Sequence, residues 1–224
     1  MATDAPVGPG SAGPGSHAHV LLVHGLGRTP GSLASLGWAL RREGYPVHQL
    51  GYVAAFESVD RIIGRVRDRL EELSATQVPL VVIGHSLGGI LVRAALAEAD
   101  TRAIRVDHLI MLGPPNRPPR LARRLQRNWL YRIVNGDAGQ RLADPGFLDS
   151  LPPLTIPHTI IAGTGGPTGR WSPFGGDPND MIVAVDETHC TNDEPVIQLP
   201  VRHTFMMNDP RVRAVITGVL AQVD

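Results

Sequence analysis

No lysine occurs among the 224 residues, so all 21 basic side chains are arginine. Chemistry that needs a lysine, such as a phosphate-loop ammonium, a Schiff base or a Ser–Lys dyad, is excluded. The single cysteine, Cys190, rules out an intramolecular disulfide and leaves too few thiolates for a cysteine-based zinc site. Neither sign of charge dominates, with 21 acidic residues against 21 basic ones, so no overall field draws the chain to nucleic acid. There is no run of about 18 apolar residues that could span a bilayer, which argues against integral membrane association. The first residues also lack the positive charge and continuous apolar stretch of a secretory signal, and a cytoplasmic address is expected.

What is present, 42% hydrophobic and 19% charged residues, is the balance of a soluble globular chain long enough to bury one substantial core. Met1 to Ser16, rich in Ala, Gly and Pro, cannot offset chain entropy by burying apolar area and read as flexible. The expected organisation is a tail over 1–18 and one domain over 19–224.

From His19 onward, short β-branched runs alternate with longer amphipathic stretches. This is the pattern of an α/β chain whose strands cross over through helices into a mostly parallel sheet. Strands are expected at His19–Val23, Tyr45–Tyr52, Val78–Ile83, Val106–Leu112, His158–Gly163 and Val196–Leu199. Helices are expected at Ser32–Arg42, Val59–Leu73, Leu87 to about Ala99 and Pro210–Gln222, the first two with one apolar face each. Gly113–Pro153 is Pro- and Arg-rich with room for a small cap at most, and Gly163–Asp180 is a long Gly/Pro loop.

The segment Gly84-His85-Ser86-Leu87-Gly88 lies where a buried strand meets a helix. A serine hydroxyl is a poor nucleophile near neutrality and must be held beside a base, with backbone donors close by for an oxyanion. A strand-to-helix elbow with small residues on both sides of the serine does this, and Ser86 is the expected nucleophile. An ordinary tight turn could carry the same pattern, but the strand before, the helix after and the additional Gly89 favour the elbow. The matching oxyanion donors are the backbone N–H of Leu87 and that of Leu26, in the His24-Gly25-Leu26-Gly27 loop that closes the first strand. His24 itself reads as a structural residue that hydrogen-bonds this loop.

Together with Met111-Leu112-Gly113-Pro114-Pro115-Asn116, Asn179-Asp180-Met181-Ile182-Val183 and Val201-Arg202-His203-Thr204-Phe205-Met206-Met207, these segments give the chain its family likeness. It resembles small bacterial α/β-hydrolases close to the lid-poor lipases and esterases. The resemblance implies an α/β-hydrolase fold with helices on both faces of the sheet and a minimal cap. It implies Asp180 as the acid and His203 as the base of a triad with Ser86, and carboxylic ester chemistry; no cofactor or metal is expected. The chain order Ser86, Asp180, His203 is the order this fold uses. Asp177 and Asp186 lie close enough in sequence to replace Asp180, and spacing alone does not choose; the resemblance does, together with the apolar Met181-Ile182-Val183, which is expected to anchor Asp180 at a buried position beside His203. Among other histidines, His85 flanks the nucleophile with its ring expected to point elsewhere, while His17, His19, His48, His108 and His158 are expected to be packed or solvated.

Arg117, Arg120, Arg123, Arg124, Arg127 and Arg132 alternate with Leu121, Leu125, Trp129 and Leu130. This could be a basic cap that meets anionic lipid, although a solvated helix packing its leucines is the simpler reading. Trp171, Phe174, Phe205 and Met206 could line an acyl pocket or simply pack, and Cys190 beside His189 reads as incidental. The expected function is hydrolysis of a small-molecule ester or lipid through an acyl-enzyme on Ser86, with peripheral lipid contact conceivable. Acyl transfer and thioester hydrolysis would use the same triad. A non-catalytic binding protein with this fold would normally have lost one of the three residues, and none is lost.

Overall fold

The computed structural model describes residues 17–54, 56–98, 103–121, 140–141, 144–192 and 194–224. Residues 1–16 of the tail expected over 1–18, and Arg123, Arg124, Leu125, Arg127, Trp129, Leu130 and Arg132 of the basic stretch, lie outside these residues. Strands β1 (His19–Val23), β2 (Val47–Leu50), β3 (Leu80–His85), β4 (His108–Leu112), β5 (His158–Gly163) and β6 (Val196–Leu199) form one sheet in the order β2-β1-β3-β4-β5-β6. Every neighbouring pair is parallel. The described helices are α1 (Ala34–Arg42), α2 (Val59–Ser74), α3 (Leu87–Glu98), the short α4 (Pro145–Asp149) and α5 (Pro210–Val223). None is long and apolar enough to cross a membrane.

The continuous apolar strands follow from a sheet covered on both faces. With side chains alternating along each strand, Leu21, Val23, Leu80, Val82, Leu109 and Met111 turn to one side, where they meet α2 and α3 through Ile62, Val66, Leu70, Ile90 and Leu91. Val20, Leu22, Val81, Ile83, Ile110 and Leu112 turn to the other and meet α1 and α5 through Leu36, Leu40, Val212, Ile216 and Leu220. Helix starts carry local signals: Ser58 accepts from Arg61 N to cap α2, and Asp209 accepts from Arg211 N to cap α5, with Pro210 in the first turn.

Several boundaries differ from the sequence expectation. Strand β3 begins at Leu80 rather than Val78, because Gln77 is left-handed at φ 58° and Pro79, which has no N–H, contributes only its carbonyl, accepting from His19 N at 2.7 Å. It also runs two residues past Ile83, through His85, so the sheet reaches the serine itself. Strand β2 is shorter than Tyr45–Tyr52 because its ladder with β1 spans only Val47 to Leu50, and β4 starts at His108, opposite Val81. A 3-10 turn, Pro30–Leu33, precedes α1. The last two residues of the expected tail are instead part of the domain. Ala18 is fully buried with its N–H donating to Asp224 Oδ1 at 2.8 Å, and His17 Nδ1 meets Asp224 Oδ2 at 2.9 Å.

Candidate active site

Strand β3 ends at His85, Ser86 follows at φ 53°, and α3 starts at Leu87. A left-handed serine is a strained conformation that its surroundings must impose. Ser86 N donates to Leu112 O of β4 at 2.8 Å, which ties the turn to the sheet. The flanking glycines are dictated by contact. A Cβ on Gly84 would sit 2.6 Å from Gly89 Cα, and one on Gly88 would collide with the carbonyl oxygens of Val23 and His24. Helix α3 therefore lies directly against the end of β1, and Leu87 N–H, opening that helix, has no intrahelical acceptor.

The loop leaving β1 packs onto this elbow, since a Cβ on Gly25 would be 3.1 Å from Ser86 Cβ. His24 is fully buried, its Nδ1 lies 3.0 Å from Gly25 O, and its ring stacks on Tyr52 with centroids 3.9 Å apart. The Tyr52 hydroxyl donates to His24 O. His24 thus braces the loop, as its structural reading anticipated, and Leu26 beyond it is half-buried against the α2–α3 core.

Asp180 and His203 come together. His203 opens a 3-10 turn, Asp180 is 1% exposed, and Asp180 Oδ2 lies 2.6 Å from His203 Nδ1. A second bond joins the segments, from His203 N to Asp180 O at 3.0 Å. A carboxylate oxygen facing the ring accepts, so in the neutral imidazole the proton sits on Nδ1 and the lone pair on Nε2. Asp180 Oδ1 is filled by the N–H groups of Ile182 and Val183, at 3.0 and 2.7 Å. The Ser86 hydroxyl makes no hydrogen bond to His203 in this arrangement.

The anchor of Asp180 differs from the one expected. Met181 and Ile182 are 45% and 41% exposed, and of the apolar triplet only Val183 is buried. The loop is shaped instead by polar groups: buried Asn179 accepts from Met181 N at 3.0 Å, Met181 is left-handed at φ 90°, and Asn179 pairs with Ala184 across the turn. Arg120 then clasps both ends, bonding Asp177 at 2.5 Å and also Asp186, with Glu187 at 3.3 Å. Asp177 and Asp186, the rival acids, are thus exposed partners of Arg120. Arg117 and Arg120, which the sequence left between a basic cap and the simpler reading of a solvated helix, are bound to polar partners of the 177–192 segment. No sequence signal foretold this, since the partners are 57 to 75 residues away.

His85 is a further residue that sequence reasoning set aside. Its ring is tilted against that of His203 with centroids 4.9 Å apart, and its Nε2 lies 3.0 Å from His203 O. The carbonyl requires a donor, so Nε2 is protonated and buried Nδ1 is left unpartnered. Burial, followed by the neighbouring His203, holds the His85 pKa well below its ordinary 6.5, and burial also lowers that of His24. Each therefore binds a proton less readily in the folded protein than in the unfolded chain. Their contribution to stability is therefore present above pH 6.5 and lost as the pH falls below it. Denaturant titrations between pH 7 and pH 5 should show stability falling with acid. His85→Asn should lessen that slope by up to about 1.4 kcal/mol per pH unit, one proton's worth. An unchanged slope would mean that His85 is not held neutral.

Of the four residues considered for an acyl pocket, Phe174 and Met206 are buried in the core, while Trp171 and Phe205 are 85% and 65% exposed. Cys190 is a half-buried free thiol whose pKa burial raises to about 12.

A sequence model described as "Alpha/beta hydrolase family" matches residues 20–221. None of the curated proteins matches the chain in sequence. Among solved structures, the mature Bacillus licheniformis lipase BlEst2 superposes with a TM-score of 0.70 at 20% identity, covering 94% of each chain. A structure reported with two metagenome-derived lipolytic enzymes, LipS and LipT, gives 0.66 at 16% identity over 93% of this chain and 94% of that one. Phospholipase PlaB from Legionella pneumophila gives 0.61 at 19% identity over 77% of this chain, which spans only 46% of the phospholipase.

Proposed function

The chain belongs to the alpha/beta hydrolase family, and on that premise we propose that it is a serine hydrolase of carboxylic esters, working through an acyl-enzyme on Ser86. The observation that carries this reading is the buried Asp180–His203 hydrogen bond of 2.6 Å at the same sheet edge as a left-handed serine. Ser86 Oγ attacks the ester carbonyl while His203 Nε2 takes its proton. Asp180 fixes the imidazole tautomer and stabilises the imidazolium. The oxyanion is received by the N–H groups of Leu87 and Leu26. Collapse of the tetrahedral adduct breaks the C–O bond, and the alcohol leaves with the proton from His203. Water, deprotonated by the same nitrogen, then releases the acid and restores Ser86. The serine–histidine hydrogen bond absent here forms as substrate binds, as apo geometry often leaves such pairs loose. The lipolytic neighbours support an ester or lipid as substrate.

A panel of p-nitrophenyl esters of increasing chain length, with one thioester, tests this reading. Turnover of the esters is expected, and EDTA should leave it unchanged because each proton transfer is assigned to side chains. Activity lost with EDTA and restored by zinc would overturn the mechanism, and a panel with no turnover would overturn the function.

A further inference from the structure

Arg93 lies on α3, seven positions beyond Ser86, and is only 4% exposed. Among the described residues its guanidinium has only neutral partners. Nη1 donates to Asn116 Oδ1 at 2.8 Å, Nη2 to Pro152 O at 3.2 Å and more weakly to Leu151 O, and buried Nε has none. Among the described residues no carboxylate forms an ion pair with it. An unpaired buried cation is costly, and at such a helix position an apolar residue would pack without that cost.

Beside this side chain opens a cleft of about 400 Å³ whose wall includes Asn116, Arg117, Leu148, Cys190 and Asn192. Arg117, the second guanidinium, likewise bonds an amide, donating to Asn192 Oδ1 at 2.7 Å. Among the described residues the nearby carboxylates do not neutralise the pair. Asp149, on the cleft wall, is exposed and bridges neither arginine, and Glu194 is engaged by Cys190 N and His158. Two guanidiniums facing one cleft favour a planar oxyanion, which they can bind through parallel N–H donors. Arg93 also borders an apolar groove of about 200 Å³ formed by Leu96, Pro152, Pro153, Leu154 and Ile156.

From this juxtaposition we infer that the cleft is a second binding site, for a small aliphatic carboxylate, with its head between Arg93 and Arg117 and its chain along the Leu96–Ile156 groove. Occupancy supplies a countercharge that no described residue provides. The site adjoins the loop that holds Asp180, because Asn116 Nδ2 donates to Thr188 O at 2.6 Å and Arg117 N to Glu187 O at 3.0 Å.

Cys190, the only thiol of the chain, lines the cleft and reports its occupancy. The experiment follows alkylation of Cys190 by N-ethylmaleimide in Ser86→Ala protein, so the outcome does not depend on ester turnover. At constant ionic strength hexanoate should slow labelling several-fold and saturably, acetate and inorganic phosphate should protect less, and Arg117→Gln should abolish protection. Absence of slowing, or equal slowing in Arg117→Gln, would overturn the site. Protection by phosphate as good as by hexanoate would overturn the aliphatic ligand. Arg93→Met should also lose protection; if it fails to fold, the exposed-side variant Arg117→Gln decides.

Discussion

Replacing Ser86 by alanine should abolish labelling by a fluorophosphonate probe and lower kcat for any ester substrate by on the order of 10⁵-fold or more, while leaving the fold intact. The probe forms a P–O bond to the serine oxygen and expels fluoride, so it reacts only where a hydroxyl is activated by a base. Ser86 is the residue on which strand β3, helix α3 and the flanking glycines converge. Its replacement removes one oxygen from a position where the backbone is fixed by the Leu112 carbonyl rather than by the side chain. Far-ultraviolet circular dichroism should therefore be unchanged. Labelling that survives in Ser86→Ala would place the reactive hydroxyl elsewhere and sink the assignment.

The second large effect concerns the acid. Asp180→Asn keeps the shape of the side chain but replaces an acceptor-only carboxylate by an amide, which can turn a donor toward His203 Nδ1 and favour the wrong tautomer. A kcat loss of roughly 10²–10⁴ is expected, following the behaviour of triad acids. Asp177→Asn and Asp186→Asn should each stay within about tenfold of the parent, because Arg120 retains two other carboxylates when one is neutralised. Steady-state kinetics on the three variants separates the cases. A severe Asp186→Asn together with a mild Asp180→Asn would show that the acid is misassigned.

The sequence disclosed the elbow because strand, glycine, serine, glycine and helix are contiguous there, and each residue type answers a local steric demand. The two-sided sheet was legible for the same reason, through apolar runs that only a doubly covered strand can bury. The loop carrying Asp180 was not. Its shape rests on Asn179, on two N–H groups reaching one carboxylate oxygen and on an arginine from a distant segment, none of which leaves a periodic trace. Reading Met181 and Ile182 as an apolar anchor assumed that hydrophobic residues beside a buried carboxylate are themselves buried, whereas here they face outward. His85 was passed over because adjacency to the nucleophile says nothing of where its ring turns. Strand ends were misjudged by two residues where Pro79 and the ladder partners of neighbouring strands, rather than local composition, set the limit.

Asp224 holds both ends of the described domain in one hydrogen-bonded knot, accepting from Ala18 N and the Tyr45 hydroxyl and meeting the His17 ring. Within the described residues the domain is in this sense nearly a closed loop, with residues 17 and 224 meeting on the rim of the α1–α5 layer, at the opposite end of β1 from the elbow. Such a topology permits circular permutation. A short linker could join residue 224 to residue 17, and new ends could be opened at the turn around Gln77, so that β3, the elbow and α3 would become the first-synthesised part of the domain. The order in which the chain emerges would change, while the edge of the sheet that gathers Ser86, Asp180 and His203 would not.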